Sequence, residues 1–422
     1  MSRRPASREH GAGRGPRRAA GSFSLRQILD IARSLSLPAA LGRLAYPLRR
    51  RWCEARCCPD ETTPRSLAGT VRALLQRPEP PAPDRPLGRL LFHHLDGPLL
   101  DLVCENGTLR LEALSGGILR LRLLPLGSDV PLFSYALDPT ARWQPPALEL
   151  EEGAEGLVVR AGQILCRVGR EPCRPGFYDA AGNAIAEAAE GLGFRGRGAF
   201  YTHRLHEAEA VYGLGEKAFG LNLRGRALDM WNCDPSSYAP GCDPLYISIP
   251  MLVTLHAGRA SAIFLDDPGA THLDLGQTRS DCLRYEAESG ELCAYLLAGP
   301  AIADVLAHYT ALTGRMPLPP RWLLGYHQSR WSYYPESGVR ELAAEFRRRR
   351  IPCDAIHLDI HYMDGYRVFT WDRQRFPDPP ALLADLRRQG LRVVCIVDPG
   401  VKVDPGYAVH DEGLARDAFC RL

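Results

Sequence analysis

Between about residues 87 and 300 the chain runs in short stretches of strict apolar and polar alternation. Leu109, Leu111 and Ala113 alternate with Arg110 and Glu112, and Leu119, Leu121 and Leu123 alternate with Arg120 and Arg122. Successive side chains of a strand point to opposite faces, so each stretch reads as a strand with one apolar face. Further stretches at 163–168, 246–256 and 261–266 are separated by Gly, Pro and Asp turns. Many short strands at this spacing predict a β-sandwich over 87–314. From Pro300 to Thr313 the spacing turns helical, with Ile302, Val305, Leu306 and Tyr309 on one face and Gly314 as the C-terminal stop.

After Pro319-Pro320 the pattern becomes strand, helix, strand, helix, strand. The first strand is expected over Trp322 to Trp331, the second over Ala355 to Ile360 and the third over Leu391 to Asp398. The first helix carries Val339, Leu342, Ala343 and Phe346 on one stripe, with Arg347 to Arg350 in its last turn, where cations suit the helix dipole. The second opens with Asp378 as N-cap and Pro379 at its first position, buries Leu382, Leu383 and Leu386, and stops at Gly390. Strands about 35 residues apart with helical crossovers make right-handed parallel βαβ units. Residues 315–422 therefore predict an α/β segment, the first three units of a (β/α)8 barrel that needs about 250 residues when complete.

Composition refines this picture at the N-terminal end. Residues 1–56 hold thirteen Arg against Glu9, Asp30 and Glu54, a local charge of +10 that leaves −7 on the rest of a chain whose total is +3. Such an arm suits nucleic acid, anionic lipid or an organelle transit role, but no nucleic-acid-binding motif accompanies it, and a solvated tail without a specific partner is the expectation. Residues 1–22 are expected to be disordered, 23–51 carry Leu25, Ile28, Ile31 and Leu35 at helical spacing, and the Pro-rich 78–86 reads as a linker closing an extension over 1–86. No apolar run reaches the ~20 residues that span a bilayer, and no secretory core precedes the arm, so a cytoplasmic location without a membrane partner is expected. Thirteen cysteines, an odd number scattered singly as at Cys166, Cys293 and Cys395, fit a reduced compartment rather than a disulfide framework. Cys53, Cys57 and Cys58 form one cluster without a matching second pair, which is weak support for zinc.

Candidate chemistry gathers at strand ends. By parity His357, Asp359 and His361 share one face of the second strand, and Asp398 goes with Val394 and Ile396 on the third, just before Pro399-Gly400. In a barrel both carboxylates then face the C-terminal opening, where they can accept hydrogen bonds from vicinal hydroxyls, while Trp331 offers a flat face for a sugar ring. The plainer alternatives are a turn-forming Asp398 and a core Trp331. Gly213-x-Gly215 lacks the third glycine and following helix of a nucleotide loop.

The segments LTGRMPLPPRWLLGYHQSRWSYYPE, LDIHYMDGYRVFTWD with Phe376-Pro377, and VVCIVDPGVK, together with YGLGE at 212–216 and DMWNCD at 229–234, resemble glycoside hydrolase family 31, the α-glucosidase and α-xylosidase family. The resemblance covers about 210–411 and extends more weakly back to about 100. It implies a galactose-mutarotase-like sandwich, a catalytic barrel, and retaining hydrolysis of α-glucosides by two carboxylates about 5–5.5 Å apart. Carried over by position, it makes Trp331 a wall of the −1 sugar site. Asp359 would hydrogen-bond a hydroxyl beside Ile360, Ile396 and Asp398 would line the third-strand side, and Asp234 would approach the +1 sugar from an inserted loop. No metal or organic cofactor is implied, and the partner is an oligosaccharide or α-glucoside. Many relatives carry an acid where His361 stands. The nucleophile's Trp-x-Asp-Met-Asn-Glu context does not occur in this sequence, so no catalytic residue is expected within it and the pair is expected beyond Leu422 in a longer product. The alternative reading is a non-catalytic carbohydrate-binding remnant.

Overall fold

The computed structural model describes residues 82–420 apart from 129, 236 and 237. The Arg-rich arm, the helix expected over 23–51 and the Cys53, Cys57, Cys58 cluster lie outside the described residues. The chain divides into two compact units between Arg315 and Met316.

The first unit is built from three antiparallel sheets. The largest has eight strands in the order Ala210–Gly213, Met251–His256, Arg259–Leu265, Leu292–Ala298, Ile118–Leu124, Gly107–Ser115, Leu99–Cys104 and Leu90–Asp96. A six-stranded sheet runs from Asp84–Pro86 to the edge strand Ala227–Met230, and a five-stranded one holds Glu149–Gly153 through Ala184–Ala186. One core joins all three and takes in the alternating Leu109, Leu111, Leu119, Leu121 and Leu123. The other face of the large sheet buries Ile118, Phe264, Tyr295 and Leu297 under the helix Ile302–Thr313, through Val305 and Leu312. Leu292–Ala298 is therefore buried at every position, alternate residues entering the two cores.

Two expectations for this unit need correction. The segment read as a linker contributes a strand, because Asp84–Pro86 pairs with Gly193 to Arg195 and Asp84 meets Arg195 at 3.1 Å and Arg284 at 2.9 Å. Pro86 is tolerated because that strand lies at a sheet edge. On the helix, Ile302 and Leu306 are exposed, since the buried face is set by Val305 and Leu312 one step around.

The second unit is a three-stranded parallel sheet with helices. Its strands are β1 His327–Gln328, β2 Ala355–Leu358 and β3 Arg392–Cys395, in that order, and its helices are α1 Glu336–Arg348, α2 Pro379–Arg388 and α3 Ala408–Ala415. Ile356 and Leu358 of β2 pack with Val339 and Ala343 of α1 and with Leu382 and Leu386 of α2, and Phe376 closes the same core at zero exposure. α2 starts as the sequence dictates: the Asp378 carboxylate accepts from the Ala381 N–H at 3.0 Å and Pro379 fills the first helical position. Leu383 is exposed rather than buried, because one α2 stripe, Leu382 and Leu386, supplies the contact with β2.

All three strands are shorter than expected. Arg321–Leu324 follows Pro320 as a 3₁₀ turn closed by Leu323 N–H to Pro320 O and Gly325 N–H to Trp322 O, so strand pairing starts only at His327. β2 stops at Leu358 because Asp359 turns and caps a second 3₁₀ turn, Ile360–Tyr362. β3 stops at Cys395, and Asp398 adopts φ 44°, with its carbonyl accepting from Gly400 N–H at 2.7 Å. The parity that linked His361 to Asp359 and Asp398 to Ile396 therefore does not extend past these strand ends.

Candidate functional site

Which way the second unit's residues face follows from the core. With Ile356 and Leu358 turned to the helices, His357 lies on the opposite face, in register with Val394 of β3. On that face His327 and His357 form a pair. Trp322 O lies 3.2 Å from His327 Nε2, and a carbonyl only accepts, so Nε2 carries the proton and Nδ1 accepts from His357 Nε2–H at 3.1 Å. Burial, then the neighbouring His327, pushes the His357 imidazole below its ordinary value, which favours its neutral form.

One step further the strand mouth is tied together by backbone. Ile396 N–H donates to Leu358 O at 2.9 Å, and Tyr362 Oη–H donates to Ile396 O at 3.0 Å. Asp359, Ile360 and Ile396 are thus neighbours across the ends of β2 and β3. The Asp359 Oδ1 accepts from Ile360 N–H at 2.8 Å, which fixes the carboxylate, and its other oxygen carries no hydrogen bond among the described residues.

Trp331 joins the group through His361, ring centroids 6.3 Å apart. It is 81% exposed, which removes the reading of Trp331 as core. His361 is the hub of a ring cluster that the sequence did not announce: Tyr334 stacks on it at 5.0 Å with planes 7° apart, and Tyr366 meets it edge-on at 5.6 Å. The Arg375 guanidinium lies over the Tyr334 ring at 4.8 Å, donates to His361 O at 3.1 Å and pairs with Asp372 at 3.2 Å. This Arg–Tyr–His stack braces the turn that follows Asp359. The available signal was the aromatic density of SYYPES and DGYRVFTWD, which names the residues but not their partners. Asp398 stands exposed in its own turn two residues beyond Ile396.

Asp234 belongs to the first unit. It follows the edge strand Ala227–Met230 on a loop whose limbs are clasped by Cys233 N–H to Leu245 O at 2.9 Å and Ser248 N–H to Asn232 Oδ1 at 2.8 Å. Trp231, Tyr238 and Tyr246 expose their rings on this loop. Gly213 and Gly215 of the GLG motif have φ 102° and 83°, and a Cβ there would fall 2.2 Å from Met251 O and 2.4 Å from Ile247 O. These glycines let backbone approach backbone and are not a phosphate cradle. Among the described residues no group of three His, Cys, Asp or Glu is placed to hold a metal ion.

An exposed aromatic ring and a fixed carboxylate, each next to the turn that holds His361, are groups suited to a polyhydroxylated ring. Residues 316–422 match the model of the glycosyl hydrolases family 31 TIM-barrel domain, and 108–274 match that of the glycosyl hydrolase 31 N-terminal galactose mutarotase-like domain. The chain belongs to glycosyl hydrolase family 31. Within the family it is 42% identical over 323 residues to Alpha-glucosidase 2 of Bacillus thermoamyloliquefaciens, covering 75% of this chain and 40% of that one. It is 37% identical over 214 residues to an Alpha-glucosidase of Saccharolobus solfataricus, covering 51% and 31%. The solved family 31 dextranase of Flavobacterium johnsoniae, complexed with isomaltotriose, superposes with a TM-score of 0.69 at 29% identity, over 74% of this chain and 38% of that one. The chain thus spans about 40% of the length of Alpha-glucosidase 2. Asp234 falls in the 108–274 match, and Trp331, Asp359, Ile360, Ile396 and Asp398 fall in the 316–422 match.

Proposed function

We propose that this chain supplies the substrate-binding part of a retaining α-glucoside hydrolase, acting in carbohydrate metabolism. The observation that carries the proposal is the β2 mouth, where Asp359 keeps an acceptor oxygen available and the exposed ring of Trp331 meets His361, two residues further along the same turn. In this reading Trp331 walls the sugar ring, Asp359 accepts from a hydroxyl, and Ile360, Ile396 and Asp398 complete the rim, while Asp234 on the first unit is a candidate sugar contact in its own right. The Trp-x-Asp-Met-Asn-Glu sequence is not among these 422 residues, so this reading assigns the chain sugar binding and places no bond-breaking carboxylate in it. A cytoplasmic setting is part of the proposal, supported by free, singly placed thiols such as Cys166 and Cys293 within strands.

The test has two arms. Maltose is titrated calorimetrically into the chain, into Trp331→Ala and into Asp359→Ala, and both variants are expected to bind measurably more weakly. In a polypeptide that also carries the catalytic pair, Asp359→Ala is expected to lower turnover of p-nitrophenyl α-glucoside on the order of 100-fold, because a charge-assisted hydrogen bond contributes about 1.5–3 kcal/mol and strengthens in the transition state. Undiminished binding and turnover in folded Asp359→Ala would overturn the assignment. Maltose binding without turnover in such a polypeptide favours a non-catalytic carbohydrate-binding role.

A further inference from the structure

The Lys217 side chain is 3% exposed and that of its partner Asp243 is 6% exposed, an unusual place for two charges. Lys217 Nζ donates to Asp243 Oδ1 at 2.6 Å and to Asp229 O at 2.8 Å, while Asp243 Oδ2 accepts from Asp229 N–H at 2.6 Å. The two side chains therefore grip both backbone groups of one residue. Asp229 lies in Ala227–Met230, the edge strand of its sheet, whose other side pairs with Thr271–Leu275. On the unpaired side Lys217 and Asp243 stand where a neighbouring strand would be, satisfying a donor and an acceptor that an open edge leaves bare. The Asp229 carboxylate is fixed from the sheet, its Oδ1 2.8 Å from His272 Nδ1.

The position of this clamp gives it a purpose. The loop bearing Asp234 leaves the sheet at Trp231, two residues after Asp229, and Asp243 sits on the loop's returning limb. The pair therefore joins departure and return beneath Cys233–Leu245, the clasp immediately before Asp234. Lys217 itself comes from the GLGEK segment, whose Glu216 N–H donates to Ile247 O at 2.8 Å, and the next residue's carbonyl, Ala218 O, accepts from Gly241 N–H at 2.6 Å. Nothing else in the carbohydrate-binding reading uses a buried ammonium at this point.

We infer that Lys217 is a positioning residue for carbohydrate binding: paired with Asp243, it locks the exit of the Asp234 loop so that the loop's sugar contacts are held before ligand arrives. The inference takes its ligand from the proposed function, but the lock can be read separately. Removing one partner of a buried ion pair leaves the other charge uncompensated, and the site responds by opening to water.

The experiment compares the full chain with Lys217→Met and Asp243→Asn by hydrogen exchange and maltose titration. Peptides spanning 227–235 are expected to exchange roughly 10- to 100-fold faster in both variants, since opening of such a local unit is governed by the lost interaction. Peptides from the distant strand Ile164–Arg170 should exchange as in the parent. Maltose affinity is expected to fall about tenfold through lost preorganisation. If both variants exchange and bind like the parent, the inference is overturned. Faster exchange with unchanged affinity overturns the positioning role, leaving a structural clamp. If the parent binds no maltose, the proposed function fails, and unchanged exchange in the variants would separately refute the lock. If Lys217→Met also loosens Ile164–Arg170, Asp243→Asn, which keeps the side-chain shape, decides.

Discussion

His203 makes the most quantitative statement about acid sensitivity. It lies in the strand Gly198–Arg204 at 1% exposure, its ring 5.7 Å from that of Tyr201, and neither ring nitrogen has a hydrogen-bond partner among the described residues. Burial, and secondarily the charge of His206, pushes its imidazole from 6.5 down to about 4. The sign follows directly. In the fold the ring stays neutral, whereas in the unfolded chain it takes a proton once the pH drops below about 6.5. Stability is therefore unaffected by His203 above that pH, is lost progressively between about 6.5 and 4, and changes no further below. At about 1.4 kcal/mol per pH unit the loss totals about 3 kcal/mol, most of it already present at pH 4.5. Discounting for solvent is unnecessary at this depth. Urea unfolding of the β-rich unit at pH 7 and pH 4.5, followed by far-UV circular dichroism, measures it against His203→Phe, which keeps a ring but cannot titrate. The variant is expected to lose about 2.5 kcal/mol less than the parent across that interval, whatever its stability at pH 7, because every other titrating group is common to both. Parallel losses in parent and variant would refute the argument.

Gly215→Ala is expected to destabilise the first unit by roughly 1–3 kcal/mol, since the new Cβ meets backbone at Ile247 and φ 83° is strained for alanine; a melting temperature equal to the parent's would count against this. Phe376→Ala is expected to destabilise the second unit by about 3–5 kcal/mol, since a fully buried ring that meets Trp371 edge-on leaves a cavity behind. A loss below about 1 kcal/mol in urea unfolding would mean that the core collapses around it.

How much of this was legible depended on whether a residue's environment was local. Leu109, Leu111 and Ala113 announced their strand because one face meets a core and the other carries cross-strand ion pairs such as Arg110 with Asp101 at 2.8 Å. Leu292–Ala298 could not show alternation, because both of its faces are buried. The N-cap of α2 was readable from Asp378-Pro379, a signal contained in two adjacent residues. The Tyr334, His361 and Arg375 stack was not, since its members come from three segments and stacking leaves no spacing in the chain. Lys217 was invisible for the same reason: its partners lie 12 and 26 residues away across a loop. Trp331 was readable as an aromatic at a strand end, but whether it was core or surface depended on neighbours no pattern specifies.

The shortness of the strands also bears on why the carboxylates are usable. Had β2 continued through Ile360 as the alternation suggested, the Asp359 backbone would belong to the ladder and its side chain would simply follow the strand's parity. Instead the ladder ends at Leu358, and its last bond, from Ile396 N–H, fixes β3 relative to β2 at the step where both chains leave the sheet. Asp359 then caps its own turn with one oxygen and keeps the other available. Tyr362 reaches back to Ile396 O and holds that turn against β3, while Arg375 donates to His361 O of the same turn. A carboxylate positioned by a turn held at two points is aimed more narrowly than one at the end of a fraying strand, as recognition of a single hydroxyl requires. Asp398 lacks such bracing among the described residues. Of the two carboxylates, Asp359 is therefore the one whose replacement should be felt more strongly in sugar binding.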